Sequence, residues 1–190
     1  MELWDAIRNR RSYRKFTTQP VNEEDLQRIL EAATWAPSPA NNQPWEFVIL
    51  TNQGIKGQLH AACLKSKDEA LQKSGWRWLG KYEIDFLPEA PMIVAVVGDP
   101  EKTGVDQFLD TGRDGYKYAC AAAIQNMLLM THSLGLAGLW YTLFDQKTIK
   151  SLLNVPEDRT VCGLICLGKP GTEPLQTPRK PIEELVRRID

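Results

Sequence analysis

The sequence predicts a mixed α/β arrangement with one central sheet. Two observations carry this prediction. Four short runs, 46–50, 92–97, 136–142 and 160–167, have the length and apolar content of strands. The segments between them carry helical spacing. The order is two helices, strand, helix, strand, helix, strand, helix, strand and a tail, and such interleaving sets helices against a shared sheet. A chain of 190 residues with 43% apolar content suits one domain, 1–190, with a real core.

Leu3, Trp4 and Ile7 fall at helical spacing and start the chain with a short helix. Asn22 can cap the second, where Leu26, Ile29, Leu30 and Ala33 follow the i, i+3, i+4, i+7 rule. A third helix is expected over 55–71. The stretch 74–88 is the least regular; its aromatics Trp76, Trp78, Tyr82 and Phe86 form a flap over a ligand or cover the core, and core cover is the reading favoured here. Pro91 introduces Met92-Ile93-Val94-Ala95-Val96-Val97, a fully buried strand. Asp114 caps a long helix over 115–134 that Gly135 stops. Its middle is apolar on nearly every side, which predicts burial partly against another subunit, with Ala119, Ala121, Ala122 and Ala123 allowing close approach. Asp145 caps a short helix that runs to Leu153 and ends at Asn154 and Pro156. The tail 168–190 holds Pro170, Pro174, Pro178 and Pro181, so it starts extended; Ile182, Leu185, Val186 and Ile189 then form a final helical stripe. An arm of this kind needs a surface to lie on, and a partner subunit is a natural one.

A net charge of −1 argues against a general nucleic-acid binder. No apolar run approaches the roughly 18 residues of a membrane span, and the acidic, helix-like start is no signal peptide. A soluble, cytoplasmic protein is expected. Of the four cysteines, Cys162 and Cys166 share one strand face but stand roughly 13 Å apart. That excludes one disulfide or one zinc between them, and all four, with Cys63 and Cys120, read as buried free thiols.

Two stretches carry chemistry. In Arg8–Lys15, written Arg8-Asn9-Arg10-Arg11-Ser12-Tyr13-Arg14-Lys15, five positive charges fall within eight positions with no acid among them. This is a solvated basic loop or nucleic-acid patch, or an anion site. In an extended segment Arg10, Ser12 and Arg14 would share one side, and two guanidinium forks with a hydroxyl suit a phosphate. In Ala36-Pro37-Ser38-Pro39-Ala40-Asn41-Asn42-Gln43-Pro44-Trp45, three prolines stiffen the chain. They push Ala36, Ser38 and Gln43 towards extended backbone. The polar side chains of such a loop suit a planar, polar-edged ligand, or the loop is an ordinary helix-to-strand connection. His60 and His132, the only histidines, lie on predicted helices. Without H-E-x-x-H, G-x-S-x-G, a Walker loop or G-x-G-x-x-G, a zinc hydrolase, a self-sufficient hydrolase and a Rossmann dehydrogenase are disfavoured. Chemistry that side chains do not supply falls to a cofactor.

Arg10-Arg11-Ser12-Tyr13-Arg14-Lys15-Phe16, taken with Ala36-Pro37-Ser38 and Asn41-Asn42-Gln43-Pro44-Trp45, resembles the nitroreductase family of flavoproteins. Gly135-Leu136, Trp140 and the late Arg179-Lys180-Pro181-Ile182-Glu183-Glu184 do so too. The resemblance spans nearly the whole chain and is weakest over 66–88. It implies an α+β fold with a mixed central sheet flanked by helices, in an intertwined homodimer that binds FMN at the subunit interface. It places Arg10, Ser12 and Arg14 at the phosphate, ribityl chain and pyrimidine edge of FMN, Arg11 at a neighbouring contact, and Arg179 at the phosphate. It makes Pro37, Ser38 and Pro39 the loop that reaches FMN from the other subunit, with Asn41 in the same motif. Tyr141 and Thr142 end the strand whose backbone lies by the reactive side of the ring. Pro39 stands where Ser is frequent, which leaves backbone contact there, and a mid-chain basic residue of larger members has no match. The implied activity is ping-pong transfer of two electrons from NADH or NADPH, a transient hydride donor, through FMN to nitroaromatic, quinone or related acceptors. No catalytic side chain and no metal is assigned. The alternatives are a flavin-destroying or reductively dehalogenating relative, and a flavin-binding redox sensor without turnover.

Overall fold

In the computed structural model, which describes residues 1–109 and 112–189, four strands form one sheet in the order β1-β2-β4-β3. These are β1 (Trp45–Leu50), β2 (Met92–Gly98), β3 (Ala137–Tyr141) and β4 (Thr160–Gly168), all paired antiparallel. β2 and β4 are central and nearly wholly buried, which is why both read as unbroken apolar runs rather than as alternating ones. The parallel component of the sheet is a single bridge at its edge, from Ser12 to Gly138. The fold is therefore α+β, with helices on both faces of the sheet.

Helices α1 (Leu3–Asn9), α2 (Glu23–Thr34) and α6 (Gly115–Ser133) lie on one side. There Ile29 and Ala33 of α2 and Cys120, Ile124 and Met127 of α6 pack on Val94, Val96, Ile165 and Leu167. Helices α3 (Gln53–Ser74), α5 (Phe86–Glu89) and α7 (Gln146–Leu152) cover the other side. Leu59, Cys63, Phe86 and Ile149 pack there on Ile93, Ala95, Leu139, Leu164 and Cys166. Asn22, Asn52 and Asp145 cap α2, α3 and α7 through their side chains, each accepting a backbone N–H of the first turn. Lys56 is buried beneath α5 because its ammonium donates to the carbonyls of Ala90 at 2.6 Å and Pro91 at 3.4 Å.

Four expectations need correction. Asp114 does not cap α6 with its side chain; Asp106, from the preceding loop, accepts the Gly115 N–H at 2.7 Å, while Asp114 binds the Lys117 ammonium. Cys162 and Cys166 face opposite sides of the sheet, because a bulge between Val96 and Val97 breaks the alternation at Cys162. Cys162 turns instead towards Cys120. The predicted closing helix shrinks to one 3-10 turn, Ile182–Glu184, and its apolar stripe lies exposed. The aromatics of 74–88 divide: Phe86 is core, whereas Trp76 and Trp78 are 60% and 54% exposed.

Candidate functional site

The basic stretch leaves α1 at Arg10 as extended chain and runs along the free edge of β3. Tyr13 N–H donates to the Gly138 carbonyl at 3.2 Å, and Thr17 N–H to that of Lys169 at 3.0 Å. Edge pairing fixes the alternation, so Ser12 and Arg14 are exposed while Tyr13 is half-buried between them.

Arg10 lies within range of the charges of Arg11 and, from the far end of the chain, of Arg179. Partial burial lowers the Arg10 pKa, and the Arg179 and Arg11 charges lower it further. His132, at the end of α6, is held below the usual imidazole range by burial first and then by Arg10 and Arg11. Arg11 is partly a strut: its guanidinium donates to the Arg8 and Arg10 carbonyls at 2.7 and 2.9 Å and to Gln176 Oε1 at 3.0 Å. That last bond ties the tail to the cradle. Arg179 donates to the Thr177 and Pro178 carbonyls. Among the described residues none of these three arginines pairs with a carboxylate. Like charges brought together without an acid repel, and an anion would relieve them.

Arg14 serves a second feature. Its guanidinium lies 5.6 Å from the Tyr82 ring centroid, and it lines a cavity of about 460 Å³ together with Trp76, Trp78, Trp140, Tyr141 and Thr142. Among the described residues no carboxylate, imidazole or amine lines that cavity. The Tyr141 phenol is committed to the core, with its ring edge-on to Phe86 at 5.7 Å and burial raising its pKa. The polar groups of this strand end that a ligand can use are therefore the exposed Thr142 with its hydroxyl and the backbone of the two residues, apart from the Thr142 carbonyl that accepts the Phe144 N–H at 3.1 Å. Trp140 spans the gap to β4: its indole N–H donates to the Cys162 carbonyl at 3.2 Å, and a Cβ at Gly163 would stand 2.1 Å from that nitrogen. Gly163 is thus required by the site, and nothing in the linear sequence marks it. Trp76 and Trp78 were legible as aromatics, but their exposure at the cavity rim was not.

The proline-rich loop is rigid for reasons beyond its prolines. Ala40, Asn41 and Gln43 adopt left-handed backbone with φ of 50°, 54° and 44°. Gln43 thereby departs from the extended conformation expected before Pro44; Ser38 Oγ accepts its N–H at 3.1 Å and Asn41 Oδ1 its side-chain amide at 3.3 Å. Ser38 itself is extended, as its place before Pro39 requires. Pro39 packs against Gly104 and Gly115 at the start of α6, so close that a Cβ on Gly104 would stand 2.5 Å from its own. Pro37, Ser38, Pro39 and Asn41 do not line the Arg14 cavity. One chain therefore brings Arg10, Arg11 and Arg179 together, sets Arg14, Tyr141 and Thr142 around one cavity, and leaves the loop outside that cavity.

Known proteins share the sequence pattern and the fold of this chain. Residues 7–169 match the sequence model described as the nitroreductase family. A protein of Archaeoglobus fulgidus named for NADH dehydrogenase/NAD(P)H nitroreductase activity is 29% identical, over 90% of this chain and 87% of its own. The 5,6-dimethylbenzimidazole synthase of Rhodospirillum rubrum is also 29% identical, over 94% of this chain and 83% of its own. Among solved structures, a nitroreductase of Desulfovibrio desulfuricans in complex with FMN superposes with a TM-score of 0.75 at 27% identity, covering 100% of this chain and 98% of that one.

Proposed function

The chain belongs to the nitroreductase family, and from that premise we propose that it is an FMN-dependent NAD(P)H oxidoreductase. It acts as one FMN-binding domain per chain, 1–190, in a cytoplasmic homodimer. The observation that carries this reading is the Arg11 bond to Gln176, which ties the tail bearing Arg179 to the stretch of Arg10 and Arg11, with no carboxylate paired to any of the three among the described residues. The FMN phosphate, with roughly two negative charges at neutral pH, is the counter-charge such a cradle lacks. The FMN complex of the Desulfovibrio relative supports the choice of anion.

On this reading Arg10 and Arg179 hold the phosphate and Arg11 braces them through its bonds to the chain and to Gln176. Ser12 faces the ribityl chain and Arg14 the pyrimidine edge, while the backbone of Tyr141 and Thr142 flanks the reactive side of the ring. Pro37, Ser38, Pro39 and Asn41 come from the second subunit, which fits their position outside their own chain's cavity. Bound there, FMN supplies a ping-pong relay of two electrons, taken as hydride from NADH or NADPH and passed to a nitroaromatic, quinone or related acceptor. The chain's own work is to bind, orient and exclude water. With no carboxylate, imidazole or amine in the cavity wall, no side chain is assigned a proton-transfer step.

Reconstitution tests the reading. Purified protein should retain about one FMN per chain, and NADH or NADPH should bleach the flavin absorbance anaerobically; protein that stays colourless in excess FMN overturns it. The equal likeness to a dimethylbenzimidazole synthase favours one second reading, in which reduced flavin is itself consumed. Product analysis separates the two, because an oxidoreductase returns its FMN intact after many turnovers.

A further inference from the structure

Trp76 and Trp78 sit where a folded chain has least reason to put them. Both are more than half exposed, on the elbow between α3 and the short helix α4 (Arg77–Gly80). Exposed side by side, two indoles leave a large apolar area in water, and such area marks a surface that something covers. Their surroundings say what. The two rings stand 6.2 Å apart, tilted 32° from one another. Trp78 meets Tyr82 edge-on at 5.7 Å, and the contact continues through Phe86 to Tyr141 at the end of β3. The elbow is thus propped from beneath by a run of rings that reaches the sheet. The Trp76 N–H is held by Ser74 Oγ at 3.2 Å, and Gly75, left-handed with φ of 67°, ends α3 and turns the chain into the elbow. Both tryptophans line the Arg14 cavity, which no carboxylate enters.

We propose that Trp76 and Trp78 are specificity-determining residues that stack a planar, electron-poor aromatic acceptor over the cavity. The proposal rests on the function given above, since it supplies the acceptor's place in that reaction. The chemistry is direct: an indole face is electron-rich and pairs best with a flat ring depleted of electrons, as in a nitroarene or a quinone. A saturated molecule of equal size covers the same area but offers no π-face. Among the described residues lining the cavity, Arg14 is the one charged group and lies over Tyr82, while the two tryptophans give the wall its broadest apolar faces.

The test is equilibrium binding, not turnover. FMN-loaded, oxidised protein without any nicotinamide is titrated calorimetrically with 4-nitrobenzyl alcohol and, in parallel, with its ring-saturated counterpart trans-(4-nitrocyclohexyl)methanol. Native protein should bind the nitroarene about tenfold more tightly than the saturated alcohol. Trp78→Leu and Trp76→Leu, each read on its FMN-loaded fraction, should erase most of that preference while leaving the saturated alcohol's affinity unchanged. Trp78→Phe, which keeps a π-face, should restore a large part of it. Leucine variants that keep the native preference overturn the proposal, as does native protein without any preference. If the chain takes up no FMN, the proposed function fails on that result alone. The same titration of the bare protein then still decides the stacking claim, because both indoles belong to this chain.

Discussion

Gly163 shows how one missing methyl group can shape a site from the far side of a sheet. Trp140 lies across it, and a Cβ there would stand within bonding distance of the indole nitrogen. Gly163→Ala must therefore push Trp140 off β4 and break its bond to the Cys162 carbonyl. The expected cost is about 1–3 kcal/mol of stability, read as a lower urea midpoint, with a rougher cavity wall as its companion. Arg14 belongs to the same scale. If it holds the pyrimidine edge of FMN, Arg14→Ala should weaken FMN binding by about 1–3 kcal/mol through loss of a charge-assisted hydrogen bond. Fluorescence titration of the apoprotein with FMN checks this, and unchanged affinity would show the guanidinium to be a partner of Tyr82 alone. Strand-like alternation grouped Arg14 with Arg10 and Ser12, whereas the structure sets Arg14 over Tyr82 at a separate cavity and leaves Arg10 with Arg11 and Arg179. It could not locate Gly163, whose meaning depends on a tryptophan more than 20 positions away.

Among elements, α6 is the most informative. Its start is secured by Asp106, whose carboxylate accepts the Gly115 N–H and the Thr103 hydroxyl, at 2.7 and 2.8 Å. Although what burial it has works the other way, hydrogen bonds from Gly115, Thr103 and neighbouring backbone leave this carboxyl below its ordinary value of 3.8. The folded pKa is thus depressed, so its contribution to stability is present above pH 3.8 and disappears as pH falls through the folded value. Thermal melts of the native protein and Asp106→Asn should differ at neutral pH and converge in acid; a constant difference down to pH 2 would contradict the assignment. The sequence pointed to Asp114 because it directly precedes the helix. The structure chose Asp106, nine positions before Gly115, and no local pattern encodes a pairing at that separation. The four strands and the five longest helices were legible because burial on both faces, or on one stripe, writes its period into the chain. The closing helix was misread for the converse reason: its apolar stripe has no surface within its own chain to pack on, so periodicity alone did not make it fold.

For the whole molecule, that bare stripe is the outstanding observation. Ile182, Leu185, Val186 and Ile189 are all exposed, and so are Phe108 before α6 and Tyr118 on its outer face. Apolar surface on this scale, spread from one end of the chain to the other, is what a second copy would cover. Sedimentation at micromolar concentration should give the mass of two chains. Removing residues 172–190 should yield a folded protein that sediments as one chain and has lost FMN, since Arg179 and the whole apolar stripe go together. A truncated chain that still pairs would place the interface on α6 alone.

The left-handed residues 40, 41 and 43 carry one more consequence. Their unfavourable backbone angles are already locked by Ser38, Asn41 and Pro39 before anything docks. A segment that needs no rearrangement can engage an incoming surface as a finished shape, so subunit joining should follow simple second-order kinetics without a slow, concentration-independent phase.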